Sequence, residues 1–384
     1  MAKILERCLS LFDNDKVSSS RLGETMKLTL FIDSLYGGGA ERVTCNLANF
    51  LVQQGHQVEI LTMSETEESY ELDAKVRVRS LLLLKERKGK IWNTVIRFPR
   101  LWKHLKATNN DAYIVMLPKT TIMLLMFKFL TSAKIIAAER ADPAAYSKRT
   151  SYLLKKYAPK ADGWVFQTED ACAWYGESIQ NTIMQVIPNA INPAFIRPLY
   201  AGPHNKEIVA VGRLNKQKNF ALLIDAFSSV ASAYPDYRLI IYGEGPNRKK
   251  LEERIIERGL ENRVSLPGNV TNIADKMQTA EMFVLSSDFE GMPNALMEAM
   301  ALGLPCIATN CPVGGPKYLV QNGENGILVP VKDKKALIAA IKSILSDETY
   351  AKVMGCEARK ISQKLDPEIV YGEWETFISK LVEP

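Results

Sequence analysis

The chain is poor in the residues that build metal centres and disulfide frameworks. Only three histidines occur in 384 residues, His56, His104 and His204, and they are far apart. The six cysteines, Cys8, Cys45, Cys172, Cys306, Cys311 and Cys356, are scattered and contain no C-x2-C pair. A zinc site or a disulfide scaffold is therefore not expected, and the pattern fits a reducing, cytoplasmic compartment. Long apolar runs are missing too. The longest, Ile122–Leu130, is interrupted by Lys128 and is too short to span a bilayer. Residues 1–25 lack the apolar core of a secretory signal. Met26-Lys27, just before a strand, reads as a start, preceded by an extension with a weak helix from Ala2 to Phe12. No short-period repeat or low-complexity tract is present.

What is present is a large apolar content in short pieces. Hydrophobic residues make up 47%, enough for more than one core at this length. Buried-strand patterns such as Leu28–Ile32, Asp111–Met116, Lys134–Ala138, Glu207–Val211 and Met282–Leu285 alternate with helical patterns. Such alternation predicts parallel βαβ units. A break rich in Pro193, Pro198, Gly202 and Pro203 divides the chain. The expected organisation is an extension over 1–25, a first domain over 26–200, a second over 201–366, and a closing helix over 367–384. The net charge of +6 is unevenly placed. Residues 1–200 hold 27 Lys and Arg against 20 Asp and Glu, whereas 201–384 hold 22 against 23.

The stretch Ser286–Ala301 carries the most chemistry. An apolar strand runs into Ser286-Ser287-Asp288-Phe289-Glu290-Gly291-Met292-Pro293-Asn294, and a helix follows from Ala295 to Leu302. Pro293 suits the first helical position, and the first-turn N–H groups then form an anion site. Glu290 lies before the helix and Glu298 within it, roughly 7–8 Å along the axis from Pro293. Two carboxylates flanking an anion site suit a nucleotide sugar, one taking ribose and the other hexose hydroxyls. Read as an isolated pair, they equally suit a solvated helix acid and an N-terminal acid. A second signal is Gly212-Arg213-Leu214-Asn215-Lys216-Gln217-Lys218, again between a strand and a helix. Arg213 and Lys218 there can neutralise a diphosphate or simply decorate a solvated loop. A third is Gly37-Gly38-Gly39-Ala40-Glu41-Arg42 after the first strand, a tight turn or a close ligand approach, and not the G-x-G-x-x-G dinucleotide pattern.

One segment stands apart in charge. Lys75–Lys106 holds eleven Lys and Arg and a single acid, Glu86, with Trp92, Phe98, Leu101, Trp102 and Leu105 interleaved. A basic amphipathic helix with tryptophans suits an anionic membrane surface, and Arg97, Arg100, Trp102, Lys103 and Lys106 are its candidate contacts. The apolar stripe equally suits an ordinary core-facing helix. No nucleic-acid motif accompanies the charge.

The run Glu290 to Glu298 resembles the E-x7-E element of glycosyltransferase family 4, retaining enzymes of the GT-B fold. The resemblance extends from Met26 over nearly the whole chain. It covers the Gly-Gly-Gly-Ala-Glu loop, the Arg213/Lys218 pair and the Glu139-Arg140-Ala141-Asp142-Pro143 element. It implies an α/β fold of two Rossmann-like domains whose parallel sheets face across a cleft, with the last helix crossing back to the first domain. It also implies that Arg213 and Lys218 hold the donor diphosphate, that Glu290 positions the hexose near its C3 hydroxyl, and that Glu298 takes the ribose. Gly38, Gly39, Gly243, Gly291, Met292, Pro293 and Asn294 would line the donor site, with Gly268 and Val270 against the base. Arg140 stands about where many members carry a histidine, and is expected at the donor; Glu139 and Asp142 are expected on the acceptor side.

The implied activity is transfer of a hexose or N-acetylhexosamine from a nucleoside diphosphate sugar, expected to be a UDP-sugar. No metal or other cofactor is expected, because cations and helix amides already meet the leaving charge. The expected acceptor is a glycan on a polyprenyl diphosphate, at the cytoplasmic face of the membrane, with the enzyme peripheral and no nucleic-acid partner. A cytosolic transferase with a soluble acceptor and an inactive nucleotide-sugar-binding scaffold are the alternatives.

Overall fold

The computed structural model describes residues 24–66 and 70–383. The expected amino-terminal helix over Ala2–Phe12 lies outside the described residues. Two compact units emerge. The first runs to Asn189 and takes up the chain again at Glu368; the second is Ala190–Pro367.

The first unit is built on seven parallel strands: β1 Lys27–Ile32, β2 Gln57–Thr62, β3 Arg77–Ser80, β4 Ala112–Met116, β5 Lys134–Ala138, β6 Gly163–Phe166 and β7 Ile183–Val186. Their order in the sheet is β3-β2-β1-β4-β5-β6-β7. The order reverses between β1 and β4, which register Leu28 against Ala112 and Phe31 against Val115. The helices are α1 Gly39–Gln53, α2 Lys90–Ala107, α3 Pro118–Met126, α4 Lys148–Tyr157 and α5 Glu169–Tyr175.

The second unit has six parallel strands: β8 Asn205–Val211, β9 Arg238–Tyr242, β10 Val264–Gly268, β11 Ala280–Leu285, β12 Cys306–Thr309 and β13 Ile327–Val329. Their order is β10-β9-β8-β11-β12-β13, so the reversal falls between β8 and β11. Its helices are α6 Phe220–Ala231, α7 Arg248–Glu257, α8 Ile273–Gln278, α9 Asn294–Ala301, α10 Gly315–Leu319, α11 Lys334–Ser346, α12 Glu348–Arg359 and α13 Ile361–Lys364. The chain is thus an α/β protein of two Rossmann-like units with parallel sheets.

The central strands are buried on both faces. All five residues of β4 are buried, as are five of six in β1. A parallel sheet covered by helices on both sides needs such continuous apolar runs. The edge strand β3 differs: its Arg77, Val78 and Arg79 are exposed, and charge at an edge discourages pairing with another chain. On α1, Val43, Leu47, Phe50 and Leu51 are buried at helical spacing, and Gly55, with φ of 91°, follows the helix end. The core of the second unit gathers Leu223, Phe227 and Val230 of α6 with Ile341 of α11 over β8, β9 and β11.

The chain ends in α14, Pro367–Val382, nearly all of which belongs to the first unit. Trp374, Phe377 and Leu381 are buried there. The helix lies so close to β6 that a Cβ at Gly163 would come 2.5 Å from Leu381 Cδ1. Glu375 accepts from His56 Nε2 at 2.9 Å, while His56 Nδ1 accepts from the Met26 amide.

Helix α3 begins at Pro118, ahead of the apolar run from Ile122, because proline fits the first turn. Helices α12 and α13 are separated at Lys360.

Candidate active site

The carboxyl ends of β8 and β11 flank the point where the strand order of the second unit reverses. In open α/β sheets ligands bind there. The two loops that leave these strands, 212–219 and 286–293, are cross-braced by hydrogen bonds. Asp288 N donates to Gln217 O at 2.8 Å and Ser286 Oγ to Lys218 O at 2.9 Å. Asn219 Nδ2 donates to Asp288 Oδ1 at 2.8 Å, and Gln217 Nε2 to Phe289 O at 2.9 Å. Thr309 Oγ1, from the end of β12, donates to Ser287 O at 2.5 Å.

At the centre of this brace Lys218 Nζ meets Glu290 Oε1 at 2.6 Å. Both side chains are largely enclosed, at 16% and 8% exposure. Ser287 Oγ donates to the same oxygen at 2.6 Å, and Gln217 Nε2 reaches Glu290 Oε2 at 3.3 Å. A buried carboxylate needs such partners. The Lys218 stem runs over Gly212, where an added Cβ would stand 2.9 Å from it. Arg213 is exposed, and its guanidinium has no hydrogen bond or ion pair among the described residues. One cation is therefore held by the acid, and a second is open to an incoming anion.

Helix α9 starts where Glu290 leaves off. Pro293 is the N-cap, with ψ of 95°, rather than the first helical residue as expected; Asn294 opens the helix. The Pro293 carbonyl accepts from Leu296 N and Met297 N, and no side chain caps the end. Glu298 is buried, so the solvated-acid alternative does not hold. Met292 is also buried, and Gly291 packs so tightly that a Cβ at Gly315 would fall 1.7 Å from its carbonyl oxygen. On the other side of β8, a Cβ at Gly243 would come 2.0 Å from Gly212 O, and Gly243 N donates to Gly268 O at 2.9 Å. Gly268 has a φ of 82°, and Val270 follows it, half-buried. Gly212, Gly243 and Gly268 thus bring the ends of β8, β9 and β10 together without side chains. Beyond α9, a cavity of about 720 Å³ opens at the ends of β12 and β13, lined in part by Asn310, Cys311, Lys317 and Pro330. The Cys311 thiol is pushed up to about 12 by burial, which leaves it unreactive.

In the first unit the expected residues part company. Gly38 caps α1, and the Glu41 carboxylate folds back over it, with Oε2 2.0 Å from where a Gly38 Cβ would be. Gly39 is the first residue of α1 and is exposed. Glu139, expected on the acceptor side, is buried within the first unit. Its buried carboxylate already accepts from Tyr146 Oη and Tyr175 Oη at 2.6 Å each and from the amides of Arg140 and Ala141. Burial raises its pKa, against those hydrogen bonds. Asp142 likewise caps a short turn, accepting from Ala144 N at 2.8 Å. Arg140, expected at the donor, is turned inward: its guanidinium lies 4.8 Å from the Trp374 ring centre on α14, and Nη1 donates to Ile187 O and Asn189 Oδ1. Desolvation lowers its pKa to about 10. All three residues thus have hydrogen-bond partners within the first unit.

On the basic helix the two arginines expected at a membrane already have partners in their own unit. Arg97 Nε donates to Met63 O at 3.0 Å, and Arg100 makes a forked pair with Glu86 at 2.6 and 2.7 Å. Both point back to their own unit. Trp102, Lys103 and Lys106 are exposed, with Lys106 Nζ 4.5 Å from the Trp102 ring centre. Ile91 and Val95 join them at the surface, at 84% and 56% exposure. No helix among the described residues is long and apolar enough to cross a membrane.

Residues the sequence reading passed over include Ser287, Gln217, Asn219 and Asp288, which lock the two loops. Their signal was polar side chains crowded after two strand ends.

Comparison with known proteins agrees with this geometry. Residues 37–195 match the glycosyltransferase family 4 model, and residues 196–361 match the model for glycosyl transferases group 1. The chain is 29% identical over 362 residues to a Campylobacter jejuni enzyme, covering 88% of this chain and 96% of that one. That enzyme is named N-acetylgalactosamine-N,N'-diacetylbacillosaminyl-diphospho-undecaprenol 4-alpha-N-acetylgalactosaminyltransferase. This chain is also 27% identical over 381 residues to an exopolysaccharide phosphotransferase of Streptomyces coelicolor, covering 90% of this chain but spanning only 40% of that protein. Among solved structures, the Anabaena protein HepE, in complex with UDP and glucose, superposes with a TM-score of 0.80 at 18% identity, covering 92% of this chain and 99% of that one. The chain therefore belongs to the group 1 glycosyltransferases, with a family 4 amino-terminal half and the GT-B fold.

Proposed function

We propose that this glycosyltransferase moves a hexose or N-acetylhexosamine from a UDP-sugar to a hydroxyl of a glycan carried on a polyprenyl diphosphate, with retention at C1. The observation that carries the reading is the Lys218–Glu290 pair, held between two braced loops at the strand reversal beside the start of α9. As the C1–O bond to the β-phosphate breaks, negative charge grows on the departing diphosphate. Lys218, held by Glu290, and the amino end of α9 would meet that charge as preorganised donors, which usually supply the largest catalytic term, and the unpaired Arg213 would close on it. Glu290 accepts from a sugar hydroxyl while remaining paired to Lys218. Glu298 takes the ribose hydroxyls. The acceptor oxygen bonds to C1 on the face the diphosphate leaves, and its proton passes to a β-phosphate oxygen. In this reading no metal ion takes part.

The acceptor class rests on two supports. The Campylobacter relative is named for a diphospho-undecaprenol acceptor. Helix α2 presents Ile91, Val95 and Trp102 outward beside Lys103 and Lys106, a composition suited to an anionic bilayer surface such as the cytoplasmic leaflet. The test is UDP release from a panel of UDP-sugars, with and without a prenyl-diphosphate-linked glycan. Proton NMR of the product reads the anomeric configuration. Acceptor-dependent release, α-product from α-donor and full activity in EDTA are expected. UDP binding without turnover on any donor would instead indicate an inactive subunit. Turnover with free glycans alone would indicate a soluble acceptor.

A further inference from the structure

The first unit has its own reversal, between β1 and β4, and a cavity of about 350 Å³ opens beside it at the carboxyl ends of β1 and β2. Its lining includes Asp33, Ser64, Arg87, Asn93, Arg97 and Lys119. Asp33 follows β1, and Lys119 stands in the first turn of α3, which follows β4. Of the residues of this cavity, Arg97 alone was a named candidate from the sequence, and Arg87 was counted only as part of the basic segment.

Two features of the lining need an explanation. The first is charge. Three cations, Arg87, Arg97 and Lys119, face one carboxylate. Arg87 and Arg97 are fixed by the loop after β2, since Arg87 Nη2 donates to Glu65 O and Arg97 to Met63 O and Ser64 Oγ. Lys119 Nζ is 3.9 Å from Asp33 Oδ2, a loose contact. Held cations in excess over acids favour an anion with several oxygens. The amino end of α3, without a side-chain cap, adds to that preference. The second feature is Asp33 itself. Its Oδ1 is buried without a hydrogen-bond partner, and burial raises the pKa of the group. A buried acceptor without a donor is costly, and a ligand O–H or N–H would satisfy it. The backbone there is strained as well: Leu117, the residue before α3, has a φ of 74°.

We infer that this cavity binds a glycosyl diphosphate, with its phosphate oxygens on Arg87, Arg97 and Lys119 and a sugar hydroxyl donating to Asp33. The inference deepens the proposed function and rests on it for the role of the ligand as acceptor. Helix α2 supplies Asn93 and Arg97 to the cavity wall and Ile91 and Val95 to the exposed ridge. One helix can therefore hold a polar head group on one side and meet its lipid on another.

The experiment uses the full chain and three probes carrying the same N-acetylhexosamine: a farnesyl diphosphate in mixed micelles, a water-soluble methyl diphosphate, and a methyl glycoside without phosphate. Titration calorimetry reads binding directly, and steady-state kinetics read the KM for acceptor and donor separately. Binding of both diphosphates but not of the methyl glycoside is expected. The double variant Arg87→Gln/Lys119→Gln should raise the acceptor KM about 10- to 100-fold, the range for hydrogen bonds to charged groups. Asp33→Asn should raise it about tenfold, with the KM for the UDP-sugar unchanged in both variants. A more than tenfold preference for the farnesyl probe identifies a lipid-borne ligand, and equal affinity identifies a soluble sugar diphosphate. Transfer that proceeds with unaltered acceptor KM in both variants overturns the inference and leaves the proposed function standing. If the wild type shows no transfer, the proposed function fails. The cavity is then judged by calorimetry alone, where equal affinity for diphosphate and methyl glycoside overturns it.

Discussion

The two strand reversals are built on one plan and finished differently. In the second unit the loops after β8 and β11 are tied to each other, and the acid at the centre, Glu290, has three polar partners within 3.3 Å. In the first unit the acid at the same kind of place, Asp33, has one buried oxygen with no partner and a lysine 3.9 Å away. A satisfied network is rigid, and an unsatisfied one waits for a ligand atom. In the reaction proposed above, the closed site would stabilise a departing diphosphate of constant structure, and the open one would select what receives the sugar.

The comparison breaks most sharply at Lys218. If the closed network stabilises leaving-group charge, Lys218→Ala should lower kcat by about 10²–10³, or about 2.7–4 kcal/mol of barrier, as loss of one fixed donor does elsewhere. UDP release under saturating donor measures it. A fall in kcat below tenfold would make Lys218 only a structural partner of Glu290.

Glu290→Gln is next. It keeps the shape, yet removes the charge that pairs with Lys218 and weakens the acceptor for a sugar hydroxyl. Hydrogen bonds to charged groups are worth about 1.5–3 kcal/mol, so kcat/KM for the donor should fall about 10- to 100-fold. Discrimination between epimeric UDP-sugars should fall with it, which a purely structural acid would not cause.

Gly243→Ala probes the packing of the strand ends rather than the charge. The new methyl would stand 2.0 Å from Gly212 O, at a φ of 134°. Overpacking of this kind costs about 1–3 kcal/mol, read as a lower urea midpoint. Donor affinity should fall in parallel. Unchanged stability would mean that the loops after β8 and β9 can part.

Much of this was legible in the sequence, and the failures are instructive. The E-x7-E run, through its resemblance to a known family, the R-x4-K loop and the strand pattern marked the candidate site of the second unit, and the structure has these residues after strand ends and at a helix start. Glu139 and Asp142 also sit after a strand, β5, and looked alike on that ground. What distinguishes them is distant: Tyr146 and Tyr175 fill Glu139, and Tyr175 is 36 residues away. Arg97 and Arg100 share a helix with exposed lysines, but the carbonyls of Met63 and Leu81 accept from them, and Arg100 stays exposed while doing so. Asp33 went unremarked because one acid after one strand has no spacing to read. Its significance comes from Arg87, Arg97 and Lys119, which the chain delivers from three later segments.

The smallest effect concerns acid, and it too separates the units. His104, on α2, is buried in the first unit, where burial and then Arg79 hold its pKa down to about 4, from 6.5. Glu59 Oε2 lies 3.5 Å from the ring, but Arg79 Nε takes the other oxygen at 3.2 Å, and burial prevails. Because the folded state refuses a proton that the unfolded chain accepts, the ring's contribution to stability is complete above pH 6.5. It is lost as pH falls from there toward about 4. Asp33, Glu41 and Glu139, with raised values, act in the opposite sense: the folded state binds their protons more readily and gains stability as pH falls through their range. His104→Phe should therefore narrow the gap in melting temperature between pH 7.5 and pH 4.5. From 6.5 to about 4 is about 2.5 units, so at about 1.36 kcal/mol per unit about 3 kcal/mol is the ceiling, and relaxation of the site around the charged ring brings the expected change below it. An unaltered gap would place the acid sensitivity of the first unit at another group, and an enlarged one would mean that the folded protein prefers the imidazolium.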